Sequence, residues 1–85
     1  MENLSSLADI APGETAVVEE LHADASLTRR LMDLGFAGGE IVQCLMRSAA
    51  GDPAAYRIRG TVVAIRKRGA SQILVRPKKE AGAWG

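Results

Sequence analysis

The chain has 85 residues, 47% of them hydrophobic, a formal net charge of +1 and a single cysteine, Cys44. A chain of this length forms one domain that buries about 60% of the surface exposed in its unfolded state, which argues against a deep, enclosed active site. One cysteine excludes an intrachain disulfide and a cysteine-based zinc site within one copy, and it fits a reducing, cytoplasmic compartment. The N-terminus lacks a basic region followed by an apolar run, and no apolar stretch approaches the roughly 20 residues of a membrane span.

The first third of the chain predicts a turn, a strand and a helix. Pro12 and Gly13 mark the turn, because proline presets φ and glycine accepts a positive φ. The strand covers residues 15–21, where two consecutive valines favour extended backbone. Asp24 then precedes a helix over about residues 25–34. Its carboxylate can accept hydrogen bonds from the free amide groups of the first helical turn.

The helix carries a narrow apolar stripe and a strong termination signal. Leu27, Leu31 and Leu34 recur at the spacing of one helical face, so we expect this face to pack against the sheet. Gly35 follows where a left-handed cap needs a residue without a Cβ. Phe36, the only phenylalanine in the chain, is expected to act as a hydrophobic latch behind this cap.

Four further strands are predicted, at residues 41–46, 55–59, 61–66 and 72–75. The first of them has apolar residues on both faces, so we expect both of its faces to be covered. In the second, Tyr56 and Ile58 alternate with Arg57 and Arg59, a pattern typical of a half-buried antiparallel strand with a cationic outer surface. Pro77 ends the last strand.

These elements predict a mainly β fold. Several short antiparallel strands must curl or close to remove their exposed edges, and at this length a small five-stranded barrel with one short inserted α-helix is the simplest solution. Residues 1–77 form the single domain of this prediction. Residues 78–85 show no periodicity and are interpreted as a flexible C-terminal tail. Trp84 lies in this tail, and a free side chain is a simpler interpretation than one that docks on the barrel or on a partner.

Charge is segregated along the sequence. Residues 1–54 hold three basic and nine acidic side chains, whereas residues 55–85 hold eight basic and one acidic. A solvated sheet surface is the simpler interpretation of the basic part, and a cationic patch is the alternative. The cations close enough to form such a patch are Arg57, Arg59, Arg66, Lys67, Arg68 and Arg76.

Short motifs follow one another in a fixed order from Leu4 to Val75. They are Leu7 with Asp9, Pro12-Gly13-Glu14, Arg30-Leu31-Met32-Asp33-Leu34-Gly35-Phe36, Gly39 before Ile41-Val42, Gly51-Asp52-Pro53, Arg59-Gly60, and Ala64-Ile65-Arg66 leading to Ala70 and Ile73-Leu74-Val75. In this order they resemble the FeoA family of bacterial ferrous iron uptake. Two positions depart from that pattern: Gly38 stands where proline is common, and Gly69 where an acidic residue is common, which weakens the expectation of a helical turn there.

The resemblance implies an SH3-like barrel and a non-enzymatic, cytoplasmic accessory protein. It implies binding to the cytosolic part of FeoB, a membrane permease with a GTPase domain, and modulation of transport. It implies no cofactor, no metal ligands and contact with the membrane only through this partner, and it leaves a weak homo-oligomer open. The candidate contact residues are Arg29, Arg30, Asp33 and Phe36 around the helix, and Arg57, Arg59, Arg66 and Arg68 on the cationic strands.

Other functions are weighed against this interpretation. The main alternative is a metal-responsive regulatory domain, like the C-terminal barrel of iron-dependent repressors, although the single predicted helix cannot form a helix-turn-helix. Nucleic-acid binding is disfavoured, because bases stack on exposed aromatic side chains that lie among cations. Tyr56 is the only aromatic residue of the cationic strands, and alternation places it on the face opposite Arg57 and Arg59.

Metal binding and catalysis have weaker support in the sequence. His22 and Asp24 lie together but make a poor ligand set with the remaining residues. No GxxxxGK[ST] phosphate loop and no catalytic triad is present in the sequence, so an arginine acting on a partner's GTP is the one chemical role left open.

Overall fold

The computed structural model describes residues 4–78 and contains one antiparallel sheet. Its strands are β1 (Ser5–Ser6), β2 (Thr15–Leu21), β3 (Ile41–Arg47), β4 (Ala54–Ile58), β5 (Thr61–Ile65) and β6 (Ile73–Pro77), in the spatial order β1-β6-β2-β3-β4-β5. The helices are α1 (Ala25–Asp33) and α2 (Lys67–Ala70), and a 3-10 turn covers Leu7–Asp9. The five predicted strands and the predicted helix are all present.

Two short elements were not predicted. The strand β1 pairs with β6 over only two residues, Ser5↔Val75 and Ser6↔Leu74. The helix α2 forms at the corner where glycine weakened the expectation, because the Lys67 N–H donates to the Asp52 carboxylate at 2.7 Å. A capping group supplied from 15 residues earlier in the chain leaves no local signal in the sequence.

The sheet curls around a single core. Alternate residues of its strands are buried on one face, among them Val18 of β2, Val42 of β3 and Ile58 of β4, each with no exposed surface. Tyr56 is 1% exposed and its hydroxyl lies 3.5 Å from the Leu7 carbonyl oxygen, on the far side of this core. A sheet whose inner face is enclosed in this way is the small barrel predicted from the sequence.

An arginine fixes the N-terminal segment to the barrel. The Arg47 Nη2 atom donates to the carbonyl oxygens of Ala8 at 2.9 Å and Ile10 at 2.6 Å. These two charge-assisted bonds hold the 3-10 turn against the end of β3 and satisfy carbonyl groups that have left the sheet. Arg47 is therefore a structural residue.

The expectation that both faces of β3 are covered is wrong. Ile41 is 51% exposed and Met46 is 60% exposed, while Val42 and Cys44 fill the core. The register of β3 against β4 shifts between Cys44 and Met46, so simple alternation fails in this strand. An apolar run does not distinguish a doubly covered strand from one with a partly apolar outer face.

The end of α1 confirms the predicted glycine cap. The Gly35 N–H donates to the Met32 carbonyl and the Phe36 N–H to the Leu31 carbonyl, both at 3.0 Å, and Gly35 has a φ of +111°. This pair of bonds is a Schellman motif. Phe36 is fully buried and Leu31 is 3% exposed, so the predicted latch packs in the core. Leu34, by contrast, is 42% exposed, and the apolar stripe is buried only in part.

We expect Gly35→Ala to lower the free energy of unfolding by about 1–3 kcal/mol, because a residue with a Cβ is strained at this φ. The new Cβ would also lie 2.9 Å from the Cδ atom of Arg59, whose side chain would have to move. Gly38→Ala is the matched control in the same connection: no positive φ is required there, and its Cβ would meet only the Glu19 carbonyl oxygen at 3.5 Å. Equal urea midpoints for the two variants would contradict this assignment.

Candidate protein-binding groove

An open groove of about 530 Å³ lies between α1 and the corner formed by β5 and α2. Aliphatic side chains from both elements form its floor, and three arginines stand among the residues around it. The lining residues are Asp24, Leu27, Arg30, Leu31, Leu34, Ala64, Ile65, Arg66, Arg68, Gly69 and Gln72. Segments 30 or more residues apart in the sequence therefore build one surface.

The helix wall of the groove is positioned by its N-terminal cap. The Asp24 carboxylate accepts a hydrogen bond from the Leu27 N–H at 2.8 Å, and the Thr28 hydroxyl donates to the Ala23 carbonyl at 3.0 Å. Helical periodicity then places Leu27, Arg30, Leu31 and Leu34 on one side of α1. The predicted cap is thus confirmed, and it fixes which side chains face the groove.

The opposite wall leaves space because of a glycine. A Cβ at Gly69 would lie 3.5 Å from the Cγ2 atom of Ile65 and 4.0 Å from the Cδ2 atom of Leu27, between the two walls. These are ordinary contact distances, so a side chain is tolerated sterically but would fill this end of the groove. The absence of a side chain at Gly69 therefore keeps this end of the groove open.

The groove is cationic. Arg30, Arg66 and Arg68 line it, and among the described residues none of them forms an ion pair. Its one acidic residue is Asp24, whose carboxylate already accepts the Leu27 N–H. Unpaired guanidinium groups beside an aliphatic floor are suited to a ligand that combines carboxylates with apolar side chains.

The structure separates the other predicted contact residues from this groove. Arg29 and Asp33 are exposed on α1 outside the groove lining, and Arg57 is exposed on the outer face of β4. Arg59 forms an ion pair with Glu40 at 2.9 Å. Phe36 is fully buried, so it supports the surface from below and offers no contact area to a partner.

Sequence reasoning missed the aliphatic part of the groove. Leu27 and Leu34 were assigned to the core, yet both line the groove and Leu34 is 42% exposed. Ala64 and Gln72 gave no signal, since small and polar residues near a strand end are common on any surface. Ala64 and Gln72 are recognised as groove residues only because the folded chain brings α1 and β5 close together.

Two buried groups in the core have shifted pKa values. Burial raises the pKa of the Cys44 thiol above its ordinary value of 9.0, and Arg47 opposes this shift while Glu14 adds to it. Burial also raises the pKa of the Tyr56 hydroxyl above 10.0, Cys44 and Asp52 add to this shift, and Arg47 opposes it. The thiol therefore stays neutral at physiological pH, and a buried neutral thiol is neither an activated nucleophile nor a ready metal ligand.

The candidate metal ligand His22 has a different partner. Its Nε2 atom lies 2.6 Å from the Glu20 carboxylate, and both side chains are more than half exposed. Within residues 4–78, no three His, Cys, Asp or Glu side chains come close enough to hold a metal ion. In the same range, no helix has the length and apolar character needed to cross a membrane.

The fold is that of a small SH3-like β-barrel, and a family model identifies which one. The FeoA domain model matches residues 5–77. The chain belongs to the FeoA family, a family associated with ferrous iron transport whose members are non-enzymatic accessory proteins. The predicted family, fold class and non-enzymatic character are thereby confirmed. No curated protein matches the chain.

Solved structures support this assignment. A FeoA-like protein from Clostridium acetobutylicum is 28% identical, with a TM-score of 0.85 over 94% of this chain and 93% of that chain. The zinc complex of FeoA from Stenotrophomonas maltophilia is 31% identical, with a TM-score of 0.71 over 82% and 87%. That protein is described as a prokaryotic SH3 domain protein and a candidate activating factor for ferrous iron transport.

A regulator shares the fold. A manganese-dependent transcriptional repressor is 19% identical, with a TM-score of 0.79 over 92% of this chain and 44% of that chain. At this identity the likeness concerns the fold alone.

Proposed function

We propose that this protein is a cytoplasmic accessory protein of ferrous iron uptake that binds the cytosolic part of a FeoB-type permease and modulates transport. The observation that carries this proposal is the groove, in which Arg30, Arg66 and Arg68 surround an aliphatic floor without ion-pair partners among the described residues. A groove of this composition suits a protein segment rather than a small catalytic substrate, because it is open and its one carboxylate, Asp24, is engaged in capping α1.

Three of the eight predicted contact residues line the groove and five do not. Arg30, Arg66 and Arg68 are the proposed contacts, together with the aliphatic residues Leu27 and Leu34. Arg29 and Asp33 lie elsewhere on the surface and serve as controls, whereas Arg57 lies on the outer face of β4 and is not used as one. Arg59 is assigned to the Glu40 ion pair and Phe36 to the core.

The proposal is tested by calorimetric titration of this protein with the purified cytosolic region of its cognate permease, with and without a non-hydrolysable GTP analogue. We expect saturable binding. Binding only with the analogue would indicate a module that responds to the state of the GTPase, and binding in both conditions a scaffold. No heat of binding to the folded cytosolic region, and none to the full-length permease in lipid nanodiscs, would contradict the proposal.

The alternative function is a metal-responsive regulatory domain. It rests on the fold alone, which a manganese-dependent transcriptional repressor shares. The helices in residues 4–78 are nine and four residues long, however, and they do not form a helix-turn-helix. Equilibrium dialysis that shows tight, stoichiometric ferrous binding would favour this alternative.

A further inference from the structure

We propose that the partner contributes an extended segment of alternating acidic and aliphatic residues, which adds to the free edge of β5 as a further strand. This inference rests on the proposed function, since it specifies the chemistry of the segment that the groove binds. The observation that supports it is that an unpaired strand edge, an aliphatic floor and three arginines lie together in one place.

The strand β5 is an edge of the sheet. It ends the order β1-β6-β2-β3-β4-β5 and pairs only with β4 among the described residues. Natural edge strands are usually protected by charged residues, proline or a covering element. The sequence of β5 is Thr-Val-Val-Ala-Ile, without charge or proline, and Val62 is 56% exposed. This edge has none of the usual protection in its own sequence.

The hairpin that precedes β5 defines which backbone groups face outward. Arg59 and Gly60 have φ values of 51° and 77°, as in a two-residue type I′ turn, and Ile58 is opposite Thr61. The pair that closes such a turn exchanges hydrogen bonds, and along an antiparallel ladder bonded and non-bonded pairs alternate. The N–H and C=O groups of Val62 and Ala64 therefore point away from β4, and neither takes part in any other backbone hydrogen bond of the described residues.

The free edge opens into the groove. Ala64 and Ile65 line it on the side of β5, and Leu27 and Leu34 on the side of α1. A strand paired with β5 would direct alternate side chains to opposite faces. One set would meet the aliphatic side chains of α1, which favours apolar residues at every second position.

The arginines near this edge determine which side chains are favoured on the other face of the added strand. Arg66 directly follows β5, Arg68 lies in α2, and Arg57 is directly opposite Val62 on the outer face of the sheet. Side chains of an added strand on that face would come close to these guanidinium groups. Carboxylates are favoured there, because charge-assisted bonds to arginine are the strongest that such a surface offers. The segment that fits is thus acidic and aliphatic in alternation.

The test replaces a backbone donor without removing the edge. Val62→Pro deletes the outward N–H, a change that edge strands tolerate when this group faces solvent. Val62→Thr is the matched control, because it keeps the N–H and has a similar shape. We expect Val62→Pro to weaken binding of the permease's cytosolic region about tenfold or more and Val62→Thr to change it by less than about twofold. Unchanged binding by a folded Val62→Pro variant, judged by circular dichroism, would overturn the proposal.

A second measurement does not depend on the folding of a variant. The probe is a short capped peptide in which glutamate and valine alternate, titrated into the wild-type protein. Two versions carry N-methyl groups, one on every glutamate and the other on every valine. Because only one set of N–H groups can face β5, we expect one version to lose binding and the other to keep it. Equal binding of both versions, or no binding of the unmodified peptide, would overturn the proposal.

The two proposals fail separately. If wild-type protein binds the permease and Val62→Pro binds equally well, strand addition is wrong and the proposed function stands. If wild-type protein binds the alternating peptide at β5 but not the permease, the edge is a docking site and the proposed function is wrong.

Discussion

Leu31→Ala is expected to lower the free energy of unfolding by roughly 2–5 kcal/mol, the cost of deleting a large buried aliphatic side chain. Leu31 is 3% exposed and belongs to the core beneath α1. Its carbonyl also accepts the Phe36 N–H of the helix cap, so it lies where the helix and the barrel are joined. A helix of nine residues is marginal in water by itself, and packing through Leu31 supplies most of its stability.

Met32→Ala is the matched control for this variant. Met32 is the next residue of the same helix and is 54% exposed, so its truncation removes little buried surface. We expect its cost to stay below about 1 kcal/mol. Chemical denaturation followed by circular dichroism compares the two. Equal losses in both variants would show that α1 does not pack through Leu31.

Reversing two charges in the groove is expected to have the largest effect on binding. The double variant Arg66→Glu with Arg68→Glu replaces attraction by repulsion toward an acidic ligand. At about 1.5 kcal/mol for each lost charge-assisted bond, its affinity for the permease's cytosolic region should fall roughly 100-fold. Both side chains are exposed, so the fold is expected to tolerate the change.

The control for this variant has the same change in net charge. Arg29→Glu with Lys78→Glu reverses two exposed cations that neither line the groove nor lie beside β5. If long-range attraction alone determined affinity, both double variants would be weakened equally, and added salt would remove the difference from wild type. We expect the groove variant to remain weaker than the control variant at high salt.

Local signals in the sequence predicted most of the fold. The Asp24 cap, the left-handed Gly35 and the alternation of Tyr56 and Ile58 each depend on a few neighbouring residues, and each is confirmed. The cap of α2 was missed because Asp52 reaches Lys67 only in the folded chain. The exposure of Ile41 was missed because hydropathy does not report which face of a sheet is left open.

The groove could be predicted only in its parts. Arg30, Arg66 and Arg68 were among the candidate contacts, but nothing in the sequence showed that α1 lies beside β5. The same patterns also selected Arg59, which pairs with Glu40, and Phe36, which is buried. A pattern identifies charged and aromatic residues, whereas sheet order and helix placement decide which of them meet at one surface.

The most direct measurement is an NMR titration of the isotopically labelled protein with the cytosolic region of its cognate permease. We expect amide signals of groove residues, including Leu27, Ala64 and Arg66, to shift or broaden together in a saturable way. Gly13, Thr15 and Gly51, which do not line the groove, should be unaffected. Perturbations that cluster around these three residues and spare the groove would show that the permease binds a different surface.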